Sequence, residues 1–368
     1  MSHWSRAATV LFSGVWFLIS GSVLVGRAQS EPPPPVYYIT SNLQLPDQLQ
    51  YQAQALDIPT RVVAPFGRAL PLENRLFDQI TWTPDREWVA FAGETSGLYL
   101  VAIANGWAEQ IIAQGVVDSP MAWSPDGTRL AYVAEAETSP VQFTGQMAVW
   151  VYDRTDGSRR ELARDPAQYA RLDWSPDGTR LVFVRFDGVN QSISLIDLAG
   201  DAKPTPLVLN ASDPAWSPDG SWVAYYAIDD TDQEIFAIRP EGGEPYALTR
   251  NNVQDIRPVW SPDGRWLSFL STQGADLDIV AIPTTCVGAE ALCVPQVLTA
   301  NNGMDFPFIW SGDSQFLLFQ TFPLGEPSRW MWMNTACLVS PTGCGAVVPE
   351  VVPLPPDESV LAVVWGAS

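Results

Sequence analysis

The phrase Trp-Ser-Pro-Asp-Gly stands at 123–127, 174–178, 216–220 and 260–264, and degraded versions stand at 81–85 (Thr-Trp-Thr-Pro-Asp) and 309–313 (Ile-Trp-Ser-Gly-Asp). Nothing else in the chain limits its fold so strongly. Self-similarity at roughly forty to fifty residues marks a repeated structural unit, whereas a catalytic loop is written once.

Aligned on the tryptophan, every copy continues in the same way. An aliphatic and an aromatic residue follow at alternate positions: Val89/Phe91, Leu130/Tyr132, Leu181/Phe183, Val223/Tyr225, Leu267/Phe269 and Leu317/Phe319. That period is a strand's. The residue between them is small or aliphatic (Ala90, Ala131, Val182, Ala224, Ser268, Leu318), so both faces should be buried. A second β-rich run comes next, such as GLYLVAI, SISLIDL or LDIVAI, then a shorter one ending in YALT or QVLT. Each unit therefore reads as four short strands, the first ending at the tryptophan. In the corner, Pro presets φ, Asp suits the second turn position and Gly takes the left-handed one. Asp126, Asp177, Asp219 and Asp263 are thus turn residues. Arg86 replaces Gly in the first corner, and Gly312 with Ser314 alters the sixth, so looser or differently bent corners are expected there.

Small sheets repeated in this way predict an all-β fold, a β-propeller. Corner tryptophans stand at Trp82, Trp123, Trp174, Trp216, Trp260 and Trp310, with a seventh, Trp365, in the closing LAVVWGAS. Strands missing from that last unit are available near the start, as VYYIT (36–40), QLQYQAQAL (48–56) and TRVVA (60–64). The expected architecture is a seven-bladed β-propeller over 36–368. Its last blade joins 358–368 to 36–65, so N-terminal strands pair with a C-terminal strand and hide both edges. A six-bladed ring with loose terminal extensions is the alternative.

The repeated phrase with its aliphatic-x-aromatic continuation resembles the propeller of the TolB family and related WD-like repeats of exported bacterial proteins, over essentially everything past residue 35. This resemblance implies a non-enzymatic propeller that binds a protein or peptide. The α/β domain that precedes the propeller in TolB is expected to have no counterpart here, and the Gly-His and Trp-Asp marks of the ordinary WD repeat are missing.

Residues 1–30 open with a short basic start, then twenty uncharged, mostly apolar residues from Ala7 to Gly26, with small residues at Ala28 and Ser30. They read as a signal peptide or an N-terminal membrane anchor, the only expected contact with a membrane. Residues 31–35, Glu-Pro-Pro-Pro-Pro, follow as a stiff spacer. Export predicts an extracytoplasmic location: periplasmic, secreted or anchored facing outward. The four cysteines fall as Cys286/Cys293 and Cys337/Cys344, each pair enclosing six residues between β-rich runs. Two local disulfides are expected, with zinc as the rival, for which the gaps are too wide.

Composition excludes whole classes of chemistry. Lys and Arg total 20 against 41 Asp and Glu, a net charge of −21 that repels nucleic acid. The single histidine is His3, inside the targeting segment, so Ser-His-Asp and Cys-His catalysis and imidazole metal sites have no residues to use. No catalytic residue, metal or cofactor is predicted, and the chain is expected to be monomeric.

Acids recur just ahead of the tryptophans. Asp118, Asp255 and Asp305 stand five residues before it, and Asp78 and Asp213 stand four and three before. Thr-x-Asn-Asn-x-x-Asp occurs twice, at 249–255 and 299–305. A carboxylate collar at the channel mouth would hold a partner's basic segment; alternatively each Asp bonds its own loop. Asp229, Asp230, Asp232 and Glu234 form an acidic run expected in a solvated outer loop. Trp88, Trp222 and Trp266, six past the corner tryptophan, suggest either a sugar-stacking surface or packing between units. Protein or peptide binding is thus the leading function. Carbohydrate or small-ligand binding is the alternative, and a carboxylate-dependent hydrolase or lyase a third.

Overall fold

A computed structural model describes residues 32–41, 51–65, 67, 72, 79–93, 97–112, 121–139, 142–200, 203–229, 231–273, 276–289, 292–340, 343–344, 347–354 and 359–366. The expected targeting segment, Asp78, Asp118 and Asp230 lie outside them. The strands form seven four-stranded antiparallel sheets, which are the seven blades of a propeller.

Blade one runs through Gln79–Trp82, Trp88–Gly93, Gly97–Ala102 and Ala108–Ile112, and blades two to six repeat that meander. Blade seven combines Ser359–Trp365 with Val36–Ser41, Tyr51–Asp57 and Val62–Pro65, in that order across the sheet. Val36 pairs with Trp365 and Tyr37 with Val364, so the two chain regions share one ladder.

Each corner is held by the same small network. The Ser124 hydroxyl donates to Asp126 Oδ1 at 2.5 Å and accepts from Arg129 N at 2.9 Å, while Gly127 N donates to the Ser124 carbonyl at 2.8 Å. Ser175, Ser217 and Ser261 repeat it with Asp177, Asp219 and Asp263. These bonds, led by the Ser175 hydroxyl, hold the Asp177 carboxyl down at about 2. The turn aspartates are thus occupied in the corner itself. The expectation of looser first and sixth corners is corrected. Arg86 and Ser314 themselves take the left-handed backbone, with φ of 64° and 61°, close to the 67–72° of the glycines in the other four corners. They close the same bond to Thr83 O at 3.0 Å and Ser311 O at 2.9 Å. A short polar network outweighs the steric cost of a Cβ there, about 1–2 kcal/mol.

Corner tryptophans of five blades donate to the blade before, Trp123 Nε1 reaching the Thr81 carbonyl at 3.4 Å. Trp174 Nε1 donates to the Ala122 carbonyl at 2.9 Å, Trp260 to Ala215 at 3.0 Å and Trp365 to Ile309 at 3.1 Å. Trp310 uses the Ser268 hydroxyl at 2.8 Å. On its other side blade seven meets blade one, where Arg86 Nε donates to the Trp365 carbonyl at 2.9 Å. The ring closes through these contacts.

The second tryptophan position also packs between blades. Arg154 of blade two lies over Trp88 of blade one at 5.2 Å. Trp222 and Trp266 are covered by loops of the following blade. Both loops carry a disulfide, Cys286–Cys293 with Cα atoms 5.4 Å apart and Cys337–Cys344 at 4.8 Å. Gly288, at φ +80°, lets the first loop approach closely: a Cβ there would stand 3.3 Å from the Trp222 ring. The second is tied to blade five by Gln296 Nε2, which donates to Leu338 O at 3.2 Å. Each disulfide therefore shapes a latch over the preceding blade.

Candidate functional site

The innermost strands of the blades wall the central channel; those of blades three to six share a bulge, the last between Asp305 and Phe308, and in three of them it carries a left-handed charged residue. In blades three, four and five the pairing with the second strand slips between Ala170 and Asp173, between Ser212 and Ala215, and between Ile256 and Val259. Two residues then oppose one, a β-bulge. The first bulge residue has a left-handed backbone in each: Arg171 at φ 53°, Asp213 at 48° and Arg257 at 55°. Glycine is the natural occupant of such a position, and an L side chain costs about 1–2 kcal/mol there.

The bulges bring three charges together. Arg171 Nε stands 2.7 Å from Asp213 Oδ1, and Arg257 Nε stands 3.9 Å from Asp213 Oδ2. The Asp213 side chain keeps 13% of its exposure, the two arginines 40% and 39%. Burial raises the Asp213 carboxyl above its ordinary value, opposed by Arg171 and then Arg257. The Arg257 guanidinium makes no hydrogen bond to a described residue and lies 5.6 Å from the ring centre of Phe306, on the innermost strand of blade six. Nearby Asp173 accepts from Trp216 N at 2.7 Å. Desolvation pushes its carboxyl up to about 7, because protein surrounds it even though water reaches it in part.

The sequence-predicted acids divide. Asp213 is in this triad. Asp255 and Asp305 are fully buried between blades and bonded within the loops that lead to them. Asn251 Nδ2 donates to Asp255 Oδ2 at 2.7 Å, and Asn301 Nδ2 to Asp305 Oδ2 at 2.6 Å. The threonine of each motif receives a backbone N–H from the blade before, Ile235 N to Thr249 and Ile279 N to Thr299, both at 2.9 Å. Thr249 in turn donates to Glu234 Oε2 at 2.6 Å. Glu234 is therefore no solvated loop residue, correcting that expectation: it is 1% exposed, with Asn251 N also bonded to it. Asp229 does stay outside, paired with Arg250 at 2.9 Å. Asp278 holds the place of Glu234 one blade on. Burial, and then the charges of Asp305 and Asp276, push its carboxyl up to about 6.

Sequence reasoning missed Arg171 and Arg257. The available signal was positional: three residues before the tryptophan, three successive repeats carry Arg, Asp and Arg. A second concavity, a cleft of ≈ 590 Å³, opens between blades five and six beside Leu298, Phe319, Met331 and Val347.

The family profile described as the TolB beta propeller domain matches residues 128–322, just over half of the chain. The chain belongs to the TolB β-propeller family. TolB from Acinetobacter baumannii has 15% identity to it and a TM-score of 0.52, over 90% of this chain and 82% of that one. An oligogalacturonate lyase in complex with manganese is similar at 13% identity and a TM-score of 0.60, over 80% of this chain and 89% of the lyase. A puromycin-hydrolyzing peptidase of Mycobacterium tuberculosis reaches 0.60 at 14% identity, over 87% of this chain and 53% of the peptidase. No curated protein matches. At such identities the likeness to solved structures is one of fold, which TolB propellers share with enzymes.

Proposed function

We propose that this chain is an exported, non-enzymatic propeller that binds a protein or peptide at its channel. The observation that carries the reading is the run of three left-handed charged bulge residues on neighbouring innermost strands, where Arg257 stands half-exposed with no hydrogen-bond acceptor among the described residues. Positions of stored backbone strain gather at sites of function, and a half-exposed guanidinium with no protein acceptor keeps its donors for a ligand. The family agrees with this reading, and so does the sequence, which holds no histidine after His3 for general-base or nucleophilic catalysis. Two disulfides fit an oxidising compartment of the cell envelope.

The test is capture with the immobilised propeller. It should retain a stoichiometric protein partner from an extract of its own cells' envelope, displaced by free propeller. Turnover on a panel of glycans or peptides, with no partner retained, would contradict the assignment.

A further inference from the structure

We propose that Arg257 and Arg171, on the left-handed bulges of blades five and three and set around Asp213 on that of blade four, bind a carboxylate of a peptide ligand in the channel. This rests on the reading of the chain as a peptide binder and names the chemistry that the ligand must present.

Three observations converge on a carboxylate. First, a guanidinium presents N–H donors in a planar fork that matches a carboxylate's two oxygens. Asp213 takes the charge but not the fork: Arg171 Nε stands 2.7 Å from one oxygen as an ion pair, without hydrogen-bond geometry. Arg257, at 3.9 Å from the other oxygen, forms an ion pair without a hydrogen bond and keeps its donors for another acceptor. Second, the same unusual backbone recurs at φ 53°, 48° and 55° in three neighbouring blades, and in each it carries a charged residue rather than glycine. A bulge required only by the fold would be met more easily by glycine; the charged side chains are what the strain holds in place. Third, the triad carries two positive charges against one negative on a chain of net charge −21. A local cationic spot in an acidic molecule selects an anion by position, since the overall field repels one.

The surroundings favour a peptide over a sugar acid. The apolar wall beside Arg257 is Phe306, half-buried, with its ring centre 5.6 Å from the guanidinium and stacked on Phe322 at 5.3 Å between ring centres. Such a wall gives a sugar's hydroxyls few partners, while an acidic residue flanked by apolar ones would meet both the forks and the apolar edge.

The site is tested by titrating the full folded body with short blocked peptides and following the arginine Nε–H signals by NMR. One peptide, Ac-Gly-Ala-Glu-Ala-Gly-amide, carries only a side-chain carboxylate. A second, Ac-Gly-Ala-Ala-Ala-Gly, carries only a terminal one, and its amide carries none. The expected result is a saturable shift of the Arg257 and Arg171 signals with one or both carboxylate peptides and none with the neutral one. Which peptide binds tells a side chain from a chain terminus. Arg257→Gln should weaken binding at least about tenfold, the worth of one charge-assisted hydrogen bond. Asp213→Asn, which removes the internal competitor, should strengthen it. An ordinary structural ion pair predicts no binding by either protein, so the second variant separates the two even if the first loses stability. No shift at about 10 mM peptide, an equal shift with the neutral peptide, or binding of digalacturonate without binding of the peptides would overturn the proposal. If a protein partner is still captured at full strength by Arg257→Gln, the site falls and the broader function stands. If the carboxylate peptides bind and no partner is captured, the site stands and the broader function falls.

Discussion

Substituting Trp365 by Ala should open the ring at one place. The side chain is fully buried, its indole donates to the Ile309 carbonyl at 3.1 Å, and its ring centre lies 5.9 Å from that of Phe316. Val36, Tyr38 and Leu318 belong to the same buried cluster. Truncating a buried aromatic of this size costs about 3–5 kcal/mol, and stranding the Ile309 carbonyl adds about 1 kcal/mol, for roughly 4–6 kcal/mol. Trp365→Phe keeps most of the apolar contact and should cost about 2 kcal/mol. Equilibrium urea denaturation gives the total, and hydrogen exchange gives its location. Blades contact mainly their neighbours, so the loss should concentrate there. Amides of Val36–Ser41 and Ser359–Trp365 should lose protection while blades three to five keep theirs. Trp174→Ala is the control. It breaks a comparable bond to Ala122 at 2.9 Å, but its blade is one continuous stretch of chain, so the terminal strands should stay protected. A loss under about 1 kcal/mol for Trp365→Ala, or protection lost evenly around the ring, would refute the reasoning.

The disulfide latches make a second prediction. Replacing Cys337 and Cys344 with Ser should destabilise by about 2–3 kcal/mol, the chain entropy of so short a loop, and should expose Trp266 to fluorescence quenchers because that loop covers it. The buried carboxyls make a third. Asp278 has a folded value of about 6 against 3.8 for the ordinary group, so between those values the folded chain holds a proton that the unfolded chain has released. Stability should therefore fall as pH rises from about 4 through 6. Asp278→Asn, read by denaturation at pH 5 and pH 8, should flatten that slope and raise stability at the higher pH; an unchanged slope would contradict it.

The fold was legible because its signals are local and repeated. The Ser-Pro-Asp-Gly corner, the tryptophan that ends the first strand and the alternation after it all agree, and consistency across levels is what makes a sequence readable. Strands at 36–65 could be assigned to the last blade because a ring needs its missing pieces, and the register of Val36 with Trp365 is the result. The first and sixth corners were misread for a physical reason. Glycine is the cheapest occupant of a left-handed position, but a Ser or Thr hydroxyl bonded to the turn Asp supports Arg86 or Ser314 there as well. Glu234 was hidden by its acidic neighbours, since only the register of its strand turns it inward towards Thr249. The channel triad was the least legible. Arg171, Asp213 and Arg257 lie forty or so residues apart in sequence, and only the bulges turn a repeat position into a common site.

The most direct test of the account is a cross-link between the regions that close the ring. Tyr37 and Val364 are register partners on adjoining strands. In a chain with Tyr37→Cys and Val364→Cys, the ring predicts spontaneous intramolecular oxidation. Proteolysis and mass spectrometry should then recover one peptide joining residue 37 to residue 364, alongside the native Cys286–Cys293 and Cys337–Cys344 pairs. A folded, monomeric protein in which both new thiols stay free would contradict the seven-bladed closure and everything built on it.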